Sequence, residues 1–196
     1  KRMVGLFNMD APGLSVLPTH RGIRNLHDFN LNNFLSRLKS SFTLERSGGL
    51  QELDLTLQDG GTRMGLVTEQ GEFWILQPKE SVASDPAFMP GISGSSRQLS
   101  VNLLHAGILQ PLLGIGSVEL ATQDHLNYFR SRERLIQSLR DRHHQLGFIL
   151  NPTQLGQVRE ISDLGQKMPP KSTDFYPKLL TGLVLMKMQI DKSRDG

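Results

Sequence analysis

The sequence predicts an α+β fold: a mixed, largely antiparallel sheet covered by helices. Three observations point there. Residues 62–78, TRMGLVTEQGEFWILQP, set two apolar runs on either side of the tight turn Glu69-Gln70-Gly71-Glu72, which is the pattern of an antiparallel hairpin. Short apolar strands and amphipathic helical stretches then alternate irregularly along the chain, as in a sheet with helices packed on it. Finally, 196 residues with 37% hydrophobic side chains and 19 glycines are ordinary globular material, long enough to bury a real core.

The elements follow in order. Residues 3–9 read as a strand and DAPG at 10–13 as a turn, from its Asp, Pro and Gly. SVLPTHRGIRN continues as extended chain and loop. From Asp28, the apolar positions Phe29, Leu31, Phe34, Leu35 and Leu38 follow helical spacing, with Asp28 as the expected N-cap. FTLERSG suits a short strand. GGLQELDLTLQDGG fits two patterns: alternation from Leu53 to Leu57 suits a strand, while Leu50, Leu53 and Leu57 suit one face of a helix. After the hairpin, residues 79–97 are rich in Ser, Pro and Gly and read as a mobile surface loop or lid.

QLSVNLLHAGILQPLLG is expected to be a helix burying Leu99, Leu103, Leu104, Ile108 and Leu112, kinked or ended by Pro111. LNYFR reads as a strand. SRERLIQSLRDRHHQ reads as a helix capped by Ser131, with Arg134 where a capping box would carry Glu. GFIL is a short buried strand. NPTQLGQVREISDLGQ is a helix starting near Pro152 and ending by Gly165. KLLTGLVLMKMQI closes the sequence as an apolar strand. The whole is read as one domain, 1–196.

Composition excludes several classes. Without cysteine there is no disulfide, thiolate metal site or cysteine nucleophile in this chain, which fits a reducing, cytoplasmic setting. No apolar run approaches the length needed to span a bilayer, so no membrane partner is expected. Twenty-two basic against 19 acidic residues give a net charge of only +3, which argues against nucleic acid as a partner. The chain begins within a strand-like segment rather than with a lead-in. It is therefore expected to be the C-terminal portion of a longer protein, with the missing N-terminal portion as its first partner. Apolar surface uncovered in this way would favour homo-oligomers.

Two stretches carry chemistry. Pro18-Thr19-His20-Arg21 sets a hydroxyl, an imidazole and a guanidinium side by side. Arg pairs two-pronged with phosphate or carboxylate, and His transfers protons near neutral pH. Extended chain points neighbours to opposite faces, so His20 and Arg21 meet one site only if the loop turns; otherwise an Arg ion pair and a packing His remain. In MPPKSTDFYPK, residues 168–178, Pro169 and Pro170 stiffen a loop bearing Lys171, Ser172, Thr173 and Lys178. Two lysines and two hydroxyls so held suit an anion; solvated lysines on a rigid connection are the alternative. His143-His144 reads as solvated positive charge at a helix end, and no metal site is expected.

FNMDAPGLSVLPTHR, GFILNPT at 147–153 and MPPKSTDFYPKLLTGLV match, in order, the motifs of a bacterial and archaeal family catalogued as domain of unknown function ten-fifteen. The sequence resembles the C-terminal part of that family. The resemblance implies a distant relation to ParB-like nucleotide-binding proteins and free-serine kinases, whose DGHHR-like motif binds phosphate. This chain lacks that motif; its nearest string, DRHHQ at 141–145, falls in a helical stretch. A further departure is Asp174, where the family often carries Tyr.

By this resemblance the longer protein would be a phosphotransferase acting on a small-molecule substrate, with ATP or ADP and Mg as cofactors. Arg21, Lys171 and Lys178 would neutralise phosphate or carboxylate. Thr19, Ser172 and Thr173 would place the acceptor, and His20 would act as base. The chain alone would be inactive. A non-catalytic ParB-like regulatory or nucleic-acid-binding module is the rival implication.

Overall fold

The computed structural model describes residues 6–10, 12–58, 61–92 and 94–178. Six strands form the main sheet: β2 (His20–Ile23), β3 (Phe42–Ser47), β4 (Met64–Thr68), β5 (Phe73–Pro78), β6 (Leu126–Phe129) and β7 (Leu146–Ile149). Their order is β3-β5-β4-β7-β2-β6, and every neighbouring pair is antiparallel. A separate two-stranded ribbon joins β1 (Ser15–Leu17) to β8 (Asp174–Tyr176), also antiparallel.

Alternation along the strands gives the sheet two apolar faces, and helices cover both. On one face Ile23, Leu66, Leu76 and Phe148 pack against α1 (Leu31–Ser41) and a composite helix further along the chain. That helix runs as α4 (Ser100–Leu104), a π-helical turn His105–Leu109, and α5 (Gln110–Leu113). On the other face Val67, Ile75 and Ile149 meet α2 (Leu50–Gln58) and, beyond β6, α7 (Arg132–Arg140). Two short helices, α3 (Glu80–Ala83) and α6 (Ser117–Thr122), and the longer α8 (Leu155–Asp163) complete the set.

The hairpin, β3, β6, β7 and the α7 cap form where the sequence places them; the Ser131 hydroxyl accepts from Arg134 N at 3.2 Å. Segment 50–58 is a helix. Helical spacing buries Leu53 and Leu57 and leaves Leu55 65% exposed, whereas a strand would have turned all three to one side.

Four expectations are corrected. Residues 6–10 form no strand; extended pairing begins at β1. Asn30, not Asp28, caps α1, accepting from Asn33 N at 3.0 Å, and Asp28 sits at φ +50° in the turn before it. Residues 79–92 and 94–97 are organised rather than loose. Alongside α3 and 3-10 turns at Pro86–Phe88 and Gly94–Gln98, the Arg97 guanidinium donates to the carbonyls of Ala83, Asp85, Met89 and Ile92. Pro111 neither breaks nor ends its helix. It has no N–H, and the ladder shifts to π spacing just ahead of it, with Gln110 N–H donating to His105 O. The strand expected over KLLTGLVLMKMQI lies outside the described residues beyond Lys178. No helix among the described residues is long and apolar enough to cross a membrane.

Gly22 and Gly147 face each other across β2 and β7. A Cβ at Gly22 would stand 2.7 Å from His144 Cδ2 and 2.8 Å from Phe129 Cε2. The imidazole cannot retreat, because its Nδ1 meets Ser138 Oγ at 2.6 Å and its Nε2 meets Asn127 Oδ1 at 2.9 Å. His144 is thus buried and pinned, not the solvated charge expected from its neighbour's position. Gly22→Ala should therefore cost about 1–3 kcal/mol from overpacking. A lowered denaturant midpoint with an unchanged m-value would show it; an unchanged midpoint would contradict the close packing.

Candidate functional site

The ribbon brings the two polar stretches together. β1 leads directly into Pro18-Thr19 and β2, while β8 follows directly on the Lys171–Thr173 loop. Pairing Val16 with Phe175 and Leu17 with Asp174 therefore sets one loop beside the other. Arg21 locks the junction. Its Nη1 donates to the Thr19 carbonyl and its Nη2 to the Lys171 carbonyl at 3.1 Å, across 150 residues of sequence. The guanidinium carbon lies 5.3 Å from the Tyr128 ring centroid, and Lys171 Nζ lies 5.8 Å from the same centroid. Arg21 is fully buried, and burial lowers its pKa to about 10, so it stays charged at neutral pH.

Over this junction opens a cleft of about 970 Å³ lined by Thr19, Lys171, Thr173 and Lys178, and by Tyr128, Arg130, Ser131, Arg134 and Asp174. Four cations face a single carboxylate. Asp174 is already engaged by Arg130 Nε and Lys178 Nζ, each at 2.7 Å, and these bonds hold its carboxyl below the usual carboxylate range. Lys171 and Arg134 have no carboxylate partner among the described residues. The cleft therefore carries uncompensated positive charge beside two threonine hydroxyls, a donor set for an oxyanion.

Of the residues singled out from sequence, Thr19, Lys171, Thr173 and Lys178 line this cleft. Ser172 does not: it is buried, and its hydroxyl donates to Pro169 O at 2.7 Å, closing the loop on itself. Arg21 lies beneath, holding the loop, and its full burial keeps it out of direct reach of a ligand in the open cleft. His20 is on the opposite face of the sheet, as alternation along β2 requires. It borders a different pocket, of about 330 Å³, with Arg132, Asp54 and Asn151. Its Nδ1 accepts from Leu150 N at 3.2 Å, and burial with the nearby Arg132 and Arg21 charges lowers its pKa to about 4. It is a neutral imidazole there.

Sequence reading missed Tyr128, Arg130 and Arg134. Arg130 and Arg134 flank the Ser131 cap; the first read only as the end of a strand and the second only as standing where a capping box would carry Glu. Asp174 read only as a departure from the family pattern, yet it organises two of the cleft's four cations.

The model of the family described as Protein of unknown function (DUF1015) matches residues 1–102, and the chain belongs to this family. No curated protein matches it. Among solved structures, a conserved hypothetical protein from Pyrococcus furiosus is similar at TM-score 0.52 and 14% identity, over 86% of this chain and 59% of that one. A free serine kinase in complex with AMP is similar at TM-score 0.52 and 15% identity, over 86% of this chain and 56% of that one. At these identities the likeness is one of fold. The chain spans a little over half the length of the solved structures it matches.

Proposed function

From its fold likeness to a free serine kinase and the charge of its cleft, we propose that the chain carries the anion-binding cleft of a nucleotide-dependent phosphotransferase acting on a small metabolite. The single observation behind this reading is the Arg21 bond to the Lys171 carbonyl. It brings Lys171 and Thr173 against Thr19, Arg130 and Arg134, giving the excess of cations that phosphate or carboxylate requires. Neutralising developing negative charge is the chief task in phosphoryl transfer, and fixed cations do it without reorganising. The fold likeness to a free serine kinase bound to AMP supports the choice of reaction class.

Within this reading Lys171 and Arg134 bind the anion, and the Thr19 and Thr173 hydroxyls donate to it. Asp174 fixes Arg130 and Lys178, and Arg21 is a positioning residue. The donor set suits a nucleotide phosphate and does not suit Mg2+. The cleft's one carboxylate is already shared by two cations, and a Mg2+ ion wants free oxygen ligands.

Calorimetric titration with AMP and with inorganic phosphate tests the reading. Lys171→Gln and Arg134→Gln should each weaken binding about tenfold, the loss of one charge-assisted hydrogen bond. Affinity should also fall as salt rises. Wild-type affinity in both variants, or no binding by the parent chain at low salt, would remove the cleft from consideration.

A further inference from the structure

A second pocket, of about 550 Å³, lies along the residues that lead into the Lys171 loop. Ser96, Asn102, His105, Gln166, Lys167 and Pro169 supply the part of its wall that matters chemically. Its polar groups are ordered in a particular sense. The Ser96 hydroxyl donates to Gln166 Oε1 at 2.9 Å, which fixes the amide and leaves its Nε2 hydrogens unused. Asn102 Nδ2 donates to Ser96 O at 2.8 Å, holding the neighbouring wall to the same serine. Lys167 has no carboxylate partner among the described residues, and no carboxylate lines the pocket.

His105 adds an independent observation. It opens the π-helical turn that precedes Pro111, and such turns recur at functional sites. Its Nε2 is buried without a hydrogen-bond partner, as is Arg21 Nε. Native proteins rarely leave buried nitrogens unpaired, and a group that does so needs a reason. Burial, reinforced by the Arg21 charge, lowers the His105 pKa to about 4, so the imidazole is neutral at physiological pH. The neutral imidazole adds no charge at the wall, and its Nε2 is the group there that lacks a partner.

We infer that this pocket is a second binding site, for a small compound bearing a carboxylate or phosphate, with Lys167 and the Gln166 amide holding its oxygens and His105 at its wall. The site is separate from the cleft, since none of its lining residues is shared. Arg21 lines neither: it bonds the Lys171 carbonyl under the cleft, and its charge is felt at His105.

Titration followed by NMR, with inorganic phosphate and separately with lactate at constant pH, tests the inference. The His105 ring protons and the Gln166 and Lys167 amides should shift saturably with at least one probe. A response to phosphate alone assigns a phosphorylated ligand, one to lactate alone a carboxylate, and one to both a general oxyanion site. Lys167→Glu, an exposed position that leaves the core untouched, should weaken the response at these signals at least tenfold. The Thr173 and Arg134 signals should respond as before. Lys171→Gln should do the reverse, so failure of the cleft and failure of the pocket are distinguishable. Unmoved His105, Gln166 and Lys167 signals at high concentrations of both probes, or an undiminished response in Lys167→Glu, would overturn the site.

Discussion

Lowering the pH from 7 to 4 is expected to unfold this domain, well before its carboxylates are fully titrated. Three histidines, buried His20 and His144 and half-buried His105, each have a folded pKa of about 4 against an ordinary 6.5, with desolvation the leading cause in every case. The sign follows from linkage. Above pH 6.5 all three are neutral in both states and cost nothing. Between 6.5 and 4 the unfolded chain binds protons that the folded chain refuses, so stability falls as pH falls.

At pH 4 the loss is about 3 kcal/mol each for His20 and His105, and His144 adds to it. Such a sum rivals the whole stability of a typical domain, about 5–15 kcal/mol. Protonation would also break specific bonds: His20 Nδ1 could no longer accept from Leu150 N, nor His144 Nδ1 from the Ser138 hydroxyl. Asp174, with its pKa depressed by Lys178 and Arg130, adds a further loss in the more acid range as it takes up its proton. Denaturant unfolding measured at half-unit intervals from pH 7.5 to 4 should show the slope. His105→Asn, which does not titrate, should reduce that slope by about one proton. Stability that stays flat between pH 6.5 and 4.5 would contradict the buried, neutral state of these rings.

Replacing Arg21 is the second large effect expected. Arg21→Met keeps the apolar stem and removes the fork. The Thr19 and Lys171 carbonyls lose their donor and the Tyr128 ring one of its two cations. Two charge-assisted hydrogen bonds and a cation–π contact together set a loss of about 3–5 kcal/mol, offset in part because a buried charge is also removed. Arg21→Lys keeps the charge but cannot reach both carbonyls in one plane, and should recover little.

The loop should suffer more than the core. Lys171 sits at φ +57°, a backbone region that lysine seldom occupies, and the bond to its carbonyl helps hold it there. In Arg21→Met the amides of 171–173 should therefore exchange faster than those of β4 and β7, and AMP affinity should drop although Arg21 does not line the cleft. Equal protection in the loop, or unchanged AMP affinity, would mean that Arg21 serves only packing.

What could be read from the sequence was whatever short-range physics governs. The turn at Glu69–Glu72 fixed the hairpin, Ser131 fixed the start of α7, and the alternation rule parted His20 from Arg21 unless the loop turned. The segment at 50–58 stayed open because its leucines satisfy both periods; burial of Leu53 and Leu57 against the sheet settled it. The cap at Asn30 rather than Asp28 and the π turn before Pro111 turn on backbone geometry over one or two residues, which spacing does not resolve.

By itself, then, the sequence determined the α+β class, most of the strands and helices, and the residue types able to hold an anion. It also marked Thr19, Lys171, Thr173 and Lys178 as candidates. Only the tertiary structure decided that these four converge, that Ser172 faces inward, that His20 is excluded and that Arg130, Arg134 and Asp174 join them. The physical reason is the pairing of β1 with β8. Each is three residues long, too short to carry a readable period, and their meeting over some 150 residues depends on the sheet and on one buried guanidinium, not on any local preference.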